Sequence, residues 1–386
     1  MSHALLSPSS AARWLACTPS ARLESQFPDS SGAAAAEGTV AHALGELLLR
    51  ECLGTVEFDE WQVLFAEIEG SEYYGSDMQR YAEDYRDFVI ERYHDALAST
   101  PDPRIFLEQK LDMTEFVPEG FGTGDCIILA DGTLDIIDLK YGKGVLVNAQ
   151  ENKQMMLYGL AAMRQFEIMY DIRRVRMTIY QPRLDNYSSY ELPVEELLHW
   201  AETELKERAK MAFEGTGELV VGKHCGFCKV KARCRAMAEY NMQLAQHDFK
   251  QPELLDDHEV SEILKRLDLL TDWAGSVKKF ALQEALGGRK WEGFKLVEGR
   301  SVRRYVDEDA AAKAVLKQGW PEESVFNKKI IGLTAMEKLI GKPGMVSILG
   351  DHVDKPPGAP TLVPESDKRP EYNAAASDFA KELAEA

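Results

Sequence analysis

No apolar run in these 386 residues approaches the length that spans a bilayer, so the sequence predicts no transmembrane helix. Its start, MSHALLSPSSAARWLAC, lacks the basic opening and long apolar core of a secretory signal, and a cytoplasmic protein is expected. Cysteine is scarce: six residues, in a compartment where thiols stay reduced, are better read as metal or cluster ligands or as core residues than as disulfides. No internal repeat is visible. Positive charge is also short. A net charge of -19 argues against indiscriminate nucleic-acid binding, though not against a local basic groove. Residues 139–183 hold eight Lys/Arg against three Asp/Glu, and residues 223–235 hold five against none. Residues 57–102 reverse this, with thirteen acids against three bases, and read as solvated helical faces.

The remaining composition, 45% hydrophobic and 28% charged, is that of a soluble globular chain with a large core and room for a second domain. Ala11 to Cys17 reads as a short helix stopped at Thr18-Pro19, holding Cys17 near a turn. Ser30 to Ala36 reads as a small-residue loop, followed by an amphipathic helix over Val40 to Glu51 that places His42 and Glu46 on one face. Gln79 to Ala98 is a second such helix. Ile105 to Leu111 is a strand with Glu108 in its middle, a position where a carboxylate needs a partner.

The most informative stretch is GDCIILADGTLDIIDLK, Gly124 to Lys140. Asp125 opens an apolar strand, Asp131-Gly132 supplies a tight turn, and Leu134 to Leu139 returns antiparallel. Period-2 alternation makes Asp138 and Lys140 project together while Leu139 points into the packed layer. Asp125 then meets the Asp138/Lys140 pair at one end of the sheet. Two carboxylates sharing a small site repel unless a cation lies between them; oxygen ligands suit magnesium or manganese, and the lysine can orient a water. Helical periodicity from Ala149 to Phe166 puts Gln150, Gln154 and Tyr158 on one face. Val175 to Tyr180 is a further strand leading to Arg183, a candidate phosphate contact, and Leu192 to Phe213 reads as helix. Cys225, Cys228 and Cys234 then follow in C-x2-C-x5-C spacing, three ligands awaiting a fourth from His224, Cys17, Cys52 or Cys126.

These features resemble the PD-(D/E)xK nuclease superfamily and, within it, the RecB-type nucleases. Asp125 followed by Asp138-Leu139-Lys140 fits the D…(D/E)-x-K signature, although no proline stands before Asp125. GTVAH resembles the G-x-x-x-H element, which implies that His42 is a metal ligand beside Asp125, Asp138 and the Leu139 carbonyl. A glutamate precedes the first aspartate in that family, and Glu108 takes the place. Gln154 and Tyr158 resemble the Q-x-x-x-Y element, implying that Gln154 positions the lysine or the scissile phosphate and that Tyr158 contacts DNA. The cysteine order resembles iron-sulfur nucleases related to AddB and to the CRISPR-associated RecB-like exonucleases. That resemblance selects Cys17 to join Cys225, Cys228 and Cys234 around a structural 4Fe-4S cluster; zinc is the alternative that spacing permits. Cys52 and Cys126 are assigned to packing. The whole chain also resembles a phage- and prophage-encoded group, to which LVPESDKRP near its end conforms.

The expected architecture is α/β: a restriction-endonuclease-like core over residues 1–240, a mixed sheet flanked by helices with an iron-sulfur-stapled end. A smaller helical or α+β region spans 241–350, and an extended or disordered tail 351–386. In the former, Val260 to Leu286 reads as one or two helices, and Arg289 to Tyr305 mixes basic and aromatic residues that can bind a nucleic-acid backbone. The expected function is a magnesium- or manganese-dependent DNA exonuclease acting on single- or double-stranded ends in the bacterial host cytoplasm, with phage recombination or replication proteins as partners. The alternative is a non-catalytic DNA-binding or replication-partner protein that retains the fold.

Overall fold

The computed structural model describes residues 4–28, 32–245 and 257–294, with Lys317 and Gly341 as isolated positions. Chain contacts define one compact unit, Met1–Glu284, and a second, Ala285–Ala386. The basic run from Lys295 to Tyr305 and the tail 351–386 lie outside the described residues.

Helices α1 (Ala11–Ala16), α2 (Ser20–Glu24), α3 (Ala33–Cys52), α4 (Phe58–Glu69) and α5 (Ser76–Ser99) precede the sheet. Strands β1 (Arg104–Asp112), β2 (Phe121–Ala130) and β3 (Gly132–Leu139) form an antiparallel meander. Helix α6 (Lys153–Phe166) crosses over to β4 (Ile172–Gln181), which runs parallel to β3, and β5 (Asn186–Pro193) closes the edge antiparallel. The sheet is therefore mixed, in simple sequence order, with helices on both faces. Helices α7 (Val194–Trp200), α8 (Lys206–Glu214), α9 (Arg235–Ala245) and α10 (Asp257–Leu286) follow.

Alternation along the central strands builds two cores. Ile127, Leu129, Leu134, Ile136, Val175 and Met177 pack with the apolar face of α6. Cys126, Ile128, Ile137 and Leu139 pack with Leu49 of α3 and with Tyr85 and Val89 of α5. Because these strands are covered on both sides, they read as nearly continuous apolar runs. Truncating a fully buried member such as Ile136 to alanine costs about 3 kcal/mol.

The Asp131-Gly132 turn and the hairpin register match the sequence reading, with Ala130 opposite Thr133 and Cys126 opposite Ile137. Four readings are revised. Helix α3 begins at Ala33, not Val40, because the alanine run has high helix propensity and extends the amphipathic segment backward. Helix α6 begins at Lys153 because the Asn152 side chain accepts from the backbone amides of Gln154 and Met155, so Gln150 lies before the helix and off the Gln154/Tyr158 face. Strand β5 was not anticipated; its alternating exposure over Asn186–Leu192 is a half-buried edge pattern. The expected helix of Leu192 to Phe213 is α7 and α8, joined by a π-turn at Ala201–Leu205.

Candidate functional site

Hairpin register brings the acidic residues together. Cys126 pairs with Ile137, so Asp125 and Asp138 lie one step beyond that pair at the same end of the sheet. Lys140, held by its amide to the Tyr180 carbonyl at 2.9 Å, turns its side chain back over Asp138. Its Nζ donates to Asp138 Oδ1 at 3.0 Å and lies 2.8 Å from Oδ2. It also donates to Gln154 Oε1 at 3.2 Å, while Gln154 Nε2 donates to Asp138 Oδ1 at 3.3 Å and to the Tyr158 hydroxyl at 3.2 Å. The Asn152 cap fixes Gln154 in the first turn of α6, which aims it at this network.

Asp125 faces the other way. Its Oδ2 accepts from the Leu139 amide at 2.8 Å and lies 3.4 Å from Nδ1 of His42 on α3. One ligand atom each from His42, Glu108 and Asp125 falls within 4.8 Å of the other two. Glu108 enters this group through an unusual backbone: φ is +46°, inside the left-handed region that costs a non-glycine residue about 1–3 kcal/mol. Alternation switches there. Leu107 packs beneath α5, yet Leu111, an even number of residues later, packs on the α6 side. The kink leaves Glu108 at the crossover point beside Asp125.

The charges are not balanced internally. Three carboxylates, Glu108, Asp125 and Asp138, meet two cationic groups, Lys140 and His42. Burial opposes charge on His42, but Asp125, Asp138 and Glu108 outweigh it and raise its pKa to about 9. Burial first, then repulsion from Asp125, pushes Glu108 up to about 7. Burial also raises Asp138, against the pull of Lys140. Asp125 is buried as well, but His42, Lys140 and the Leu139 amide hold it below the usual range. Retained protons thus take the place of a missing positive charge. A donor set of carboxylate oxygens with one imidazole suits a hard divalent ion, compatible with magnesium or manganese. The buried Tyr85 hydroxyl makes no hydrogen bond among the described residues, and Asp138 Oδ2 has Lys140 Nζ beside it at 2.8 Å without forming a hydrogen bond.

A small pocket opens on this group, lined by His42, Glu46, Leu49, Tyr85, Glu108, Asp125 and Leu139. Glu46, one helical turn from His42, therefore borders the pocket, although its spacing carried no role. Tyr85 carried no sequence signal at all; α5 places it. Tyr158 is buried, and burial raises its hydroxyl's pKa. Arg183 is engaged rather than free: it donates to Glu37 at 2.8 Å and stacks 4.7 Å over the Tyr141 ring. Much of the basic segment is likewise engaged, with Arg164 on Glu115 and Glu167, Arg173 on Asp171, and Arg174 and Arg176 on Glu191.

The cysteines gather elsewhere. Cys17, Cys225, Cys228 and Cys234 line one cavity together with Arg13, His224 and Lys231. Cys17 ends α1, its amide bonded to the Arg13 carbonyl at 2.8 Å, and two short 3-10 turns at Lys223–Phe227 and Lys231–Arg233 present the triplet. Burial pushes the Cys228 thiol up to about 12. All six cysteines are free thiols. Cys126 is buried beneath α5, as packing requires, but Cys52 is exposed at the end of α3 and fills no core. The segment carrying Cys17 is also fastened directly. Arg208 donates to the Leu15 and Ala16 carbonyls, Thr18 donates to the Thr216 carbonyl at 2.6 Å, and Glu24 accepts from the Lys229 amide at 2.8 Å.

Fold and site together define an α/β protein whose mixed sheet gathers a histidine, three carboxylates and a lysine at one end. The chain belongs to the phage-associated family described as "Protein of unknown function (DUF2800)", whose sequence model matches residues 3–370. The solved structure titled "Crystal structure of SSO0001" is similar at 14% identity and a TM-score of 0.22, over 50% of this chain and 85% of that one. Among the described residues no helix is long and apolar enough to cross a membrane.

Proposed function

We propose that this protein is a magnesium- or manganese-dependent DNA exonuclease of the PD-(D/E)xK type, RecB-like in its motifs. It would work in the bacterial cytoplasm on DNA ends generated during phage recombination, replication or end processing. The observation that carries this reading is the grouping of His42, Glu108 and Asp125 within ligand distance, next to an Asp138–Lys140–Gln154 network. His42, Glu108, Asp125 and Asp138 would hold the metal, with the Leu139 carbonyl beside them. When bound, a divalent ion polarises the scissile phosphate and lowers the pKa of the attacking water. Lys140 Nζ, tied to Asp138 and Gln154, is held where it can orient that water or the phosphate oxygen. Gln154 keeps the lysine in place and is itself supported by Tyr158. Digestion of end-labelled single- and double-stranded DNA with either metal tests the reading: progressive shortening from an end supports it, and intact DNA at every metal concentration would reject it.

We also propose that Cys17, Cys225, Cys228 and Cys234 hold a 4Fe-4S cluster with a structural role. All four cysteines line the same cavity. Anaerobically purified protein should be brown and contain iron and sulfide, and Cys17→Ala should lose both while Cys52→Ala and Cys126→Ala keep them. Colourless protein with stoichiometric zinc would overturn the assignment.

A further inference from the structure

We infer that the Tyr85 hydroxyl donates a hydrogen bond to a water held in the pocket beside His42, Glu108 and Asp125, and that through this water it positions a divalent ion there. The inference rests on the metal site of the proposed function. It starts from an anomaly of burial: Tyr85 is 2% exposed, and its hydroxyl finds no hydrogen-bond partner among the described residues. Leaving a buried hydroxyl unpaired is unfavourable, and a phenylalanine would fill the same apolar space without that cost. The ring packs in the core of Leu49, Val89, Cys126, Ile137 and Leu139, with the Tyr180 ring 5.9 Å away between centroids. Packing therefore accounts for the ring and leaves the hydroxyl without a role.

The pocket supplies that role. Tyr85 lines it together with His42, Glu46, Glu108 and Asp125, and of the lining residues it alone carries a buried, unpartnered polar side-chain atom among the described residues. Burial, with Cys126, Asp125, Asp138 and Glu108 close by, holds its pKa well above the ordinary tyrosine value, so the group keeps its proton and faces acceptors. The ring is also fixed in place. Gly45, between His42 and Glu46 on α3, passes so near that a Cβ there would lie 3.1 Å from the ring's Cδ1 and 3.6 Å from a Leu139 methyl. The pocket holds about 190 Å³, and its carboxylates and imidazole give a water the further polar partners it needs. A water that accepts from Tyr85 still has a lone pair for the ion and both hydrogens for the carboxylates.

The test titrates full-length, metal-free wild-type, Tyr85→Phe and Val89→Ala proteins with manganese alone in a calorimeter, and melts each with and without the metal. Tyr85→Phe should bind manganese about 10-fold more weakly, the loss expected for an outer hydrogen-bond partner of a metal site, while its metal-free melting temperature stays equal or rises. Val89→Ala loosens the same core without removing a polar group, so it should melt lower and keep wild-type affinity. The electron paramagnetic resonance spectrum of bound manganese should change in Tyr85→Phe and not in Val89→Ala. Equal affinity in wild type and Tyr85→Phe overturns the inference and leaves the metal site standing. A Tyr85→Phe protein that melts lower without metal also overturns it, since the hydroxyl would then have a partner in the metal-free protein, and a matching loss of affinity in Val89→Ala would reduce Tyr85 to packing. Wild-type protein that takes up no manganese overturns both the inference and the metal site. No DNA enters these measurements, so weakened binding in Tyr85→Phe alongside uncut DNA in the cleavage assay would reject the exonuclease reading alone.

Discussion

Asp135 and Asp138 are buried on the same strand, three residues apart, and their surroundings differ in one decisive respect. Asp135 faces the α5 side and receives Arg92 at 2.9 Å and Arg176 at 3.4 Å, while Arg176 continues to Glu191 at 3.1 Å. Two guanidinium groups answer two carboxylates, so the charges balance, although Asp135 Oδ1 and Arg92 Nε find no hydrogen-bond partner among the described residues. Asp138 faces α6 and belongs to a group in which one lysine and one histidine answer three carboxylates. Burial raises both aspartates, but arginines complete the first cluster, whereas the second relies on retained protons. Structural acids tend to be neutralised from within the chain. A site that leaves carboxylates in excess can accommodate a cation the chain does not supply.

The sharpest way to break this contrast is substitution at each aspartate. Asp138→Ala and Lys140→Ala should each lower metal-dependent DNA cleavage by about 10³-fold or more, while circular dichroism shows an intact fold. Asp135→Ala should do the reverse, costing about 3 kcal/mol of stability by stranding partly buried arginines, with cleavage per folded molecule preserved. Undiminished cleavage by either site variant, or lost cleavage by folded Asp135→Ala protein, would erase the distinction.

Metal affinity gives the next largest effect. His42→Ala and Glu108→Ala should weaken manganese binding by at least about 10-fold in calorimetric titration, with Asp135→Asn unchanged. Wild-type affinity in Glu108→Ala would return that residue to a purely structural role despite its left-handed backbone.

Protonation sharpens the comparison further. Glu108 rises from 4.5 to about 7 in the folded protein, so the folded state binds the extra proton between those values. Its contribution to stability is complete below about pH 4.5 and is lost as pH rises through about 7. His42 rises from 6.5 to about 9, and its contribution is complete below about 6.5 and lost as pH rises through about 9. Metal-free protein should therefore show a melting temperature that declines over this range. Manganese should flatten the decline, and Glu108→Gln should remove its lower part. A profile that is flat without metal would contradict the charge excess.

The smallest effect belongs to Tyr158→Phe. It removes one hydrogen bond to Gln154, about 1 kcal/mol, and should slow cleavage about 5-fold without altering metal affinity. A loss as large as that of Lys140→Ala would instead make the hydroxyl a direct participant.

Much of this was legible in the chain itself. Asp131-Gly132 between two apolar runs sets the hairpin, since the turn demands positive φ and the runs demand burial; Gly132 adopts φ +79°. That hairpin brings Asp125 and Asp138 to the same end of the sheet, because its register leaves both one step beyond the Cys126–Ile137 pair, with Lys140 following directly. Spacing also grouped the cysteine triplet, since five residues are too few to separate it. Tertiary structure decided what local pattern does not encode. His42 reaches Asp125 only because α3 packs on the β3 side chains; Tyr85 borders the pocket because α5 lies beside α3. Glu108 becomes a direct neighbour of the metal-compatible group through a left-handed kink that nothing in ILE-type strand patterning announces. Arg183, Arg174 and Arg176 were legible as positive charge, but their ion pairs with Glu37 and Glu191 depend on the fold. Cys17 meets the triplet across more than two hundred residues through helix packing, aided by Arg208 and Thr18, which bond backbone carbonyls from distant parts of the chain. Sequence determines contacts that one turn or one hairpin can close, and only the packed core determines those that must pay the entropy of closing a long loop.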